Sequence, residues 1–184
     1  MTKTTELGLP GTRIHDDGTV PPPRLRTRWA WVVGTVFGVG WMKPGPGTWA
    51  SLAAAAVWYV ALKAAHLTGE MAALATLVGA LGAVLAGIPA ATVVERESGL
   101  TDPGFVVIDE VAGQWITLAI APIDAGHTLL GFVLFRLFDI VKPWPVRRLE
   151  RLHGGTGIML DDAGAGVYGL LVMLVIRQLF AGSW

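Results

Sequence analysis

From Met71 to Val94 the chain carries no charged side chain. As a helix this stretch is about 36 Å long at ~1.5 Å per residue, longer than the ~30 Å hydrocarbon core of a bilayer. The rest of the chain argues the same way. Its 184 residues are 53% hydrophobic and 15% charged, where a soluble domain carries about 25% charged residues. So few charges cannot cover a globule of this size, and a bilayer is the simplest cover for the remainder. The expected fold is all-α: a polytopic membrane helical bundle with about four membrane-crossing segments plus short interfacial helices.

Composition also excludes several classes of function. Fourteen Lys+Arg balance 14 Asp+Glu, which argues against a dedicated nucleic-acid partner. Cysteine is absent, which removes disulfides, thiolate metal sites and a cysteine nucleophile. Residues 1–28 are polar and rich in Pro and Gly, with the run Pro21-Pro22-Pro23 and no apolar signal-peptide core. They read as a cytosolic tail, leaving residues 29–184 as the membrane-embedded domain.

Arg24, Arg26 and Arg28 precede Trp29 and Trp31, the pattern of a chain entering the headgroup region from the cytosol. The apolar stretch Trp29–Met42 is short and interrupted by Gly34, Gly38 and Gly40, so it is expected in the interface. KPGPGT, Lys43 to Thr48, reads as a tight loop. Apolar helices are expected from Trp49 to about His66 and from Met71 to about Val94. A pair of shorter limbs turns at Pro122–His127, and a last helix runs from about Ala163 to Phe180. With the Arg24–Lys43 end inside, alternating crossings place the Glu95–Glu110 and Lys142–Arg151 segments inside too, as the positive-inside rule expects. Every motif-like segment then converges on one membrane face.

Five carboxylates lie within a turn or two of apolar helices: Asp109, Glu110, Asp139, Asp161 and Asp162. A charge at that depth is costly unless it is paired or holds an ion. Asp102 before Pro103 is expected to cap a helix, and Asp124 to be a solvated turn residue. Asp161-Asp162 is expected at a helix start, where capping explains one of the two. Hard oxygen ligands without cysteine point to Mg²⁺. Arg136, Asp139 and Lys142, spaced three apart, share one helix face. The glycine turns KPGPGT and HGGTG can cradle phosphate oxygens with backbone N–H groups. Lys43, Gly47 and Thr48 of the first turn, with Arg136 and Lys142, are therefore the candidate phosphate-binding residues. GAGVYG, Gly164 to Gly169, matches a dinucleotide-binding pattern only formally, since no strand precedes it. His15, His66, His127 and His153 are scattered over the expected topology, which excludes a histidine-dependent phosphatase site.

In four ordered segments the chain resembles the phosphatidylglycerophosphatase A family. These are GVGWMKPGPGTWAS (Gly38–Ser51), DPGFVVIDEVAGQW (Asp102–Trp115), FRLFDIVKPWPVRRLE (Phe135–Glu150) and HGGTGIMLDDAGAG (His153–Gly166). It departs from the family's usual pattern at Gly45 and Ala50, both exchanges between small residues. The resemblance implies hydrolysis of the terminal phosphate of phosphatidylglycerol phosphate, a phospholipid substrate, with Mg²⁺ required. It also implies a multi-pass protein of the bacterial inner membrane. Asp109, Glu110, Asp139, Asp161 and Asp162 are then expected to be both catalytic and metal-binding. A competing class is a non-enzymatic membrane protein such as a divalent-cation transporter, whose acids would be spread through the membrane depth.

Overall fold

The computed structural model of the chain describes residues 27–149, 152 and 154–180. The tail expected over residues 1–28 lies almost wholly outside them, as do Glu150, Arg151 and His153. The described residues form helices joined by turns, without a strand. The helices are α1 (Arg28–Gly34), α2 (Pro46–Ala64), α3 (Gly69–Ser98), α4 (Ile108–Leu118), α5 (Ala125–Val141), α6 (Val146–Leu149) and α7 (Gly155–Leu179), with a 3₁₀ turn at Val39–Trp41.

Among the described residues α3 and α7 are long and apolar enough to cross a bilayer. Of α3, only a narrow stripe of small residues is buried, including Ala72, Thr76, Ala80, Gly87 and Ala90. Leu74, Leu77, Val78, Leu81 and Leu85 stand exposed, a surface suited to lipid. With 19 residues α2 spans about 28 Å, and the 17 residues of α5 span about 25 Å. The 11-residue α4 reaches only about 16 Å. It sits inside the bundle, packed against α2, α3, α5 and α7, and buries Val111, Ala112, Gly113, Gln114, Thr117 and Leu118.

Two apolar clusters divide the bundle. Ala55, Trp58, Leu62, Ala72, Leu118, Ala121 and Met173 fill one end, and Ala30, Ala90, Ala91, Val94, Val106 and Ile158 the other. At the second end lie the starts of α2, α4 and α7 and the finishes of α3 and α5. The contacts that show this are Gly47 beside Glu110, the Gly155 amide donating to Thr92 Oγ1 at 3.0 Å, and Lys142 Nζ at 2.7 Å from Asp161.

Glycine governs how closely α4 and α7 approach. A Cβ on Gly166 would lie 2.5 Å from the Gly113 carbonyl oxygen and 2.9 Å from Gly113 Cα. Thr117 Oγ1 donates across the seam to the Gly166 carbonyl at 3.2 Å. The GAGVYG pattern thus packs helices, as small residues do in membranes.

Several expectations about element ends need correction. The last helix begins at Gly155, well before Ala163, so Asp161 and Asp162 stand inside α7 and neither caps it. The expected glycine turn shrinks to Gly154, at φ 73. Gly155 and Gly157 lie within the first turn of α7, pressed on Ile88 and Leu152 backbone oxygens where no Cβ fits. Likewise the KPGPGT break ends at Gly45, and Pro46 opens α2 at its first position, a place where proline needs no N–H partner. Asp102 caps nothing: it holds φ 47 in a bend six residues before α4, a conformation aspartate tolerates. Asp124 proves to be the cap of α5, accepting from the His127 amide at 3.0 Å.

Candidate active site

Helical periodicity places the carboxylates. Asp109 stands one turn before Gly113 in α4, and Asp162 one turn before Gly166 in α7. The contact between those two glycines therefore sets both acids side by side. Glu110, next along α4, completes a group in which Asp109, Glu110 and Asp162 each bring a carboxylate oxygen within 4.8 Å of the others. Asp109 and Asp162 are buried. None of the three forms an ion pair with a described residue, and Glu110 Oε2 is buried without a hydrogen-bond partner.

The other two acids of the expected set are held by cations. Arg136 Nη1 lies 2.7 Å from Asp139 Oδ2, one turn apart on α5. Lys142, expected on that same face, instead ends the helix at φ 45, and its ammonium swings to Asp161 at 2.7 Å. Asp139 remains close enough to Glu110 and Asp162 for their charges to interact. Asp139 and Asp161 thus each hold an ion pair, whereas among the described residues Asp109 and Asp162 hold none and Glu110 feels the Arg136 charge without pairing to it.

Of the candidate phosphate binders, Gly47 touches the centre directly. A Cβ there would collide with Glu110 Oε1 and lie 3.3 Å from Arg136 Nη1. Arg136 also reaches Ser51 Oγ at 3.5 Å, and its Nε is buried and unpartnered. Lys43, in the approach to α2, and Thr48, in its first turn, are exposed. Thr48 hydrogen-bonds through its backbone to Gly45 at 3.0 Å. The Lys43 ammonium has no partner among the described residues.

The residue set fits a hard divalent cation. Every donor is a carboxylate oxygen, the ligand type such a cation takes. Two residues of the site escape a reading of single motifs. Gln114 is fully buried with neither amide atom satisfied, and Ser51 is fully buried beside Arg136. Each lies one turn beyond a site residue, Glu110 and Gly47 respectively, so helical spacing alone would have found them. A groove of about 800 Å³ at the opposite end, lined by Trp58, Glu70, Ile123 and Arg177 among others, lies away from all these acids.

Residues 32–177 match the family model of phosphatidylglycerophosphatase A. A putative phosphatidylinositol-3-phosphatase of Bacteroides thetaiotaomicron is 40% identical over 152 residues, 79% of this chain and 92% of that protein. Phosphatidylglycerophosphatase A of Escherichia coli is 36% identical over 165 residues, 88% of this chain and 91% of the relative. The Haemophilus influenzae phosphatidylglycerophosphatase A is 38% identical over 145 residues, 77% of this chain and 84% of the relative. No solved structure matches the chain significantly. The extent of these matches, and the four ordered motifs that meet at one end of the bundle, establish that the chain belongs to the phosphatidylglycerophosphatase A family.

Proposed function

We propose that this protein is a Mg²⁺-dependent lipid phosphatase that hydrolyses phosphatidylglycerol phosphate to phosphatidylglycerol and phosphate in phospholipid biosynthesis. The observation that carries this reading is the trio Asp109, Glu110 and Asp162, gathered within 4.8 Å of one another at the end of the bundle where Arg136 and Lys43 stand. Asp109, Glu110 and Asp162 would hold the metal, with Asp139 and Asp161 beside them. When bound, the metal neutralises phosphate charge and lowers the pKa of a water.

The chain's own residues do the rest. Arg136 presents a planar set of donors to phosphate oxygens, kept in place by Asp139. Lys43 and the open turn before α2 receive the phosphate from the aqueous side, with Thr48 beside them. Lys142 keeps Asp161 paired and so limits the negative charge that an incoming phosphate meets. Water attacks phosphorus, the bond from phosphorus to the glycerol oxygen breaks, a proton from the water passes to that oxygen to give the free hydroxyl, and inorganic phosphate leaves.

Four helices cross the inner membrane in this reading: α2, α3, α5 and α7, with α4 enclosed among them. Arg28, Lys43, Arg96, Lys142, Arg147 and Arg148 lie at the site end, whereas Lys63 and Arg177 close the other ends of α2 and α7. That asymmetry favours a cytoplasmic site. Acids grouped at one end also speak against an ion pathway through the membrane, which needs them distributed in depth.

Phosphate release from phosphatidylglycerol phosphate by purified protein, with EDTA and after Mg²⁺ is restored, tests the proposal. EDTA should abolish the activity and Mg²⁺ should return it. Full turnover in metal-free protein would overturn the metal role. The name of the Bacteroides relative gives a second substrate to assay in parallel, phosphatidylinositol 3-phosphate. Exclusive hydrolysis of that lipid would overturn the headgroup assignment while leaving the reaction class intact.

A further inference from the structure

The segment between α1 and the 3₁₀ turn is built as an outward-facing wedge. Val36, Phe37 and Gly38 adopt successive positive φ values of 48, 55 and 96. Glycine accepts this readily; a β-branched valine and a phenylalanine do not. Such strain persists only where the surroundings impose it, and it concentrates at functional segments.

Here the surroundings do impose it. The Phe37 amide donates to the Val32 carbonyl at 2.8 Å, and the Gly40 amide to the Thr35 carbonyl at 3.0 Å. The buried Thr35 hydroxyl bonds the Trp31 carbonyl at 2.7 Å and receives the Gly38 amide at 3.1 Å. The outcome is to hold Phe37 out, 87% exposed, with Trp29 and Trp41 also about half exposed at 51% and 52%.

The base of the wedge is fastened to the bundle. The Glu97 carboxylate, at the end of α3, accepts from the Thr27 amide at 3.0 Å and from Trp31 Nε1 at 2.6 Å. Phe105 stacks against Trp31 at 5.5 Å and against Trp41 at 4.6 Å. Both ends of the wedge lead into the active site. The Val107 amide donates to the Gly34 carbonyl at 2.8 Å, two residues before Asp109. On the other side the chain runs from Trp41 through the exposed Lys43 to Gly47, which touches Glu110.

We propose that Val36–Met42 is a membrane wedge. Phe37, flanked by Trp29 and Trp41, inserts into the substrate-bearing leaflet beside the carboxylate centre, so that a lipid phosphate enters sideways past Lys43. The occupant is the lipid surface. Exposed aromatic rings on a rigid turn suit the interfacial zone, and an exposed lysine at the same rim matches an anionic headgroup. A water-facing turn of a soluble surface has no use for a strained, fully presented phenylalanine. The inference rests on the lipid-phosphatase reading for its consequence in catalysis, but the insertion itself can be measured separately.

Because the chain lacks cysteine, Phe37→Cys provides a single attachment point for a nitroxide spin label. In vesicles of phosphatidylethanolamine and phosphatidylglycerol, the label should be relaxed by oxygen and shielded from a water-soluble nickel chelate. Relaxation mainly by the chelate would overturn the wedge, whatever the enzyme's substrate proves to be. In turnover assays, Phe37→Ser should lower hydrolysis of long-chain substrate in bilayers about tenfold, with Phe37→Trp near the original rate. A short-chain, water-soluble substrate with the same headgroup should be hydrolysed equally by the parent and by Phe37→Ser. Equal loss on both substrates, or no loss on either, would refute the proposal. Failure of the parent protein on both would refute the lipid-phosphatase reading and leave the spin-label result to decide the wedge.

Discussion

Gly47→Ala tests the active-site geometry at its tightest point. The added methyl collides with Glu110 Oε1, lies 3.1 Å from Glu110 Cδ and stands 3.3 Å from Arg136 Nη1. Carbon atoms rest comfortably at about 3.5–4.0 Å, so the carboxylate must retreat by roughly 1 Å. The fold tolerates this readily, because what moves is the end of a flexible side chain. Alanine is also the better helix former, by about 0.5–1 kcal/mol. Net stability should therefore stay within about 1 kcal/mol of the parent, since that helix gain and the cost of moving Glu110 oppose each other.

Activity should behave differently. A ~1 Å displacement at a reacting centre costs on the order of 10²-fold, or about 2.7 kcal/mol in the barrier. Phosphate release in mixed micelles with Mg²⁺, alongside thermal unfolding followed by circular dichroism, measures both quantities. Gly82→Ala is the control, since a Cβ there meets nothing within 4 Å, and its activity should be unchanged. A Gly47→Ala protein that melts normally and keeps more than half of its kcat/KM would refute the placement of Glu110 in the site. So would one that loses activity only in step with unfolding.

Two further substitutions probe the seam between α4 and α7. Asp162→Asn and Asp109→Asn keep shape but remove charge, so each should lower turnover at least about 10²-fold and abolish Mg²⁺-induced thermal stabilisation, with the melting point of metal-free protein unchanged or raised as like charges separate; near-normal rates would make these acids structural. Gly166→Ala drives a methyl onto Gly113 backbone atoms 2.5 and 2.9 Å away, which no side-chain motion relieves. Overpacking of this kind should cost about 1–3 kcal/mol in unfolding assays, and a parental melting point would refute the close approach.

How much of this was legible in the sequence depends on the range of the interaction. The apolar run Met71–Val94 announces a helix because periodicity and length are local properties, and α3 is there. The five candidate acids stand out for a similar reason, since a carboxylate abutting apolar helix is anomalous wherever it lies, and Asp109, Glu110 and Asp162 do come within 4.8 Å of one another. Their division of labour was not legible. Asp139 and Asp161 are paired with Arg136 and Lys142, while Asp109, Glu110 and Asp162 are not. The Arg136–Asp139 pair follows from their spacing on one helix face, but the pairing of Asp161 depends on Lys142 leaving the helix at positive φ, a tertiary outcome. The helix starts failed for one reason. Glycine and proline break helices by propensity, yet Pro46 opens α2 at its first position and Gly155 and Gly157 lie in the first turn of α7. The anchoring role of Glu97 has no local signal, since its partners Thr27 and Trp31 lie 70 and 66 residues away.

The repeated spacing of aspartate and glycine links packing to chemistry. In α4 and in α7 an acid precedes the contact glycine by one turn, so the approach of Gly113 to Gly166 sets how near Asp109 and Asp162 stand. Closing that contact favours the bundle through packing and at the same moment crowds like charges, which opposes it. A cation bound between the acids would remove the opposition and tie the same two helices together. Anything that binds the folded state and not the unfolded one adds stability by mass action, so metal affinity and the tightness of this seam should rise and fall together. An apolar bundle otherwise has little reason to keep three carboxylates clustered beside a close helix crossing. In the proposed reading that position would make the site both the chemical centre of the protein and the place where its stability responds to metal.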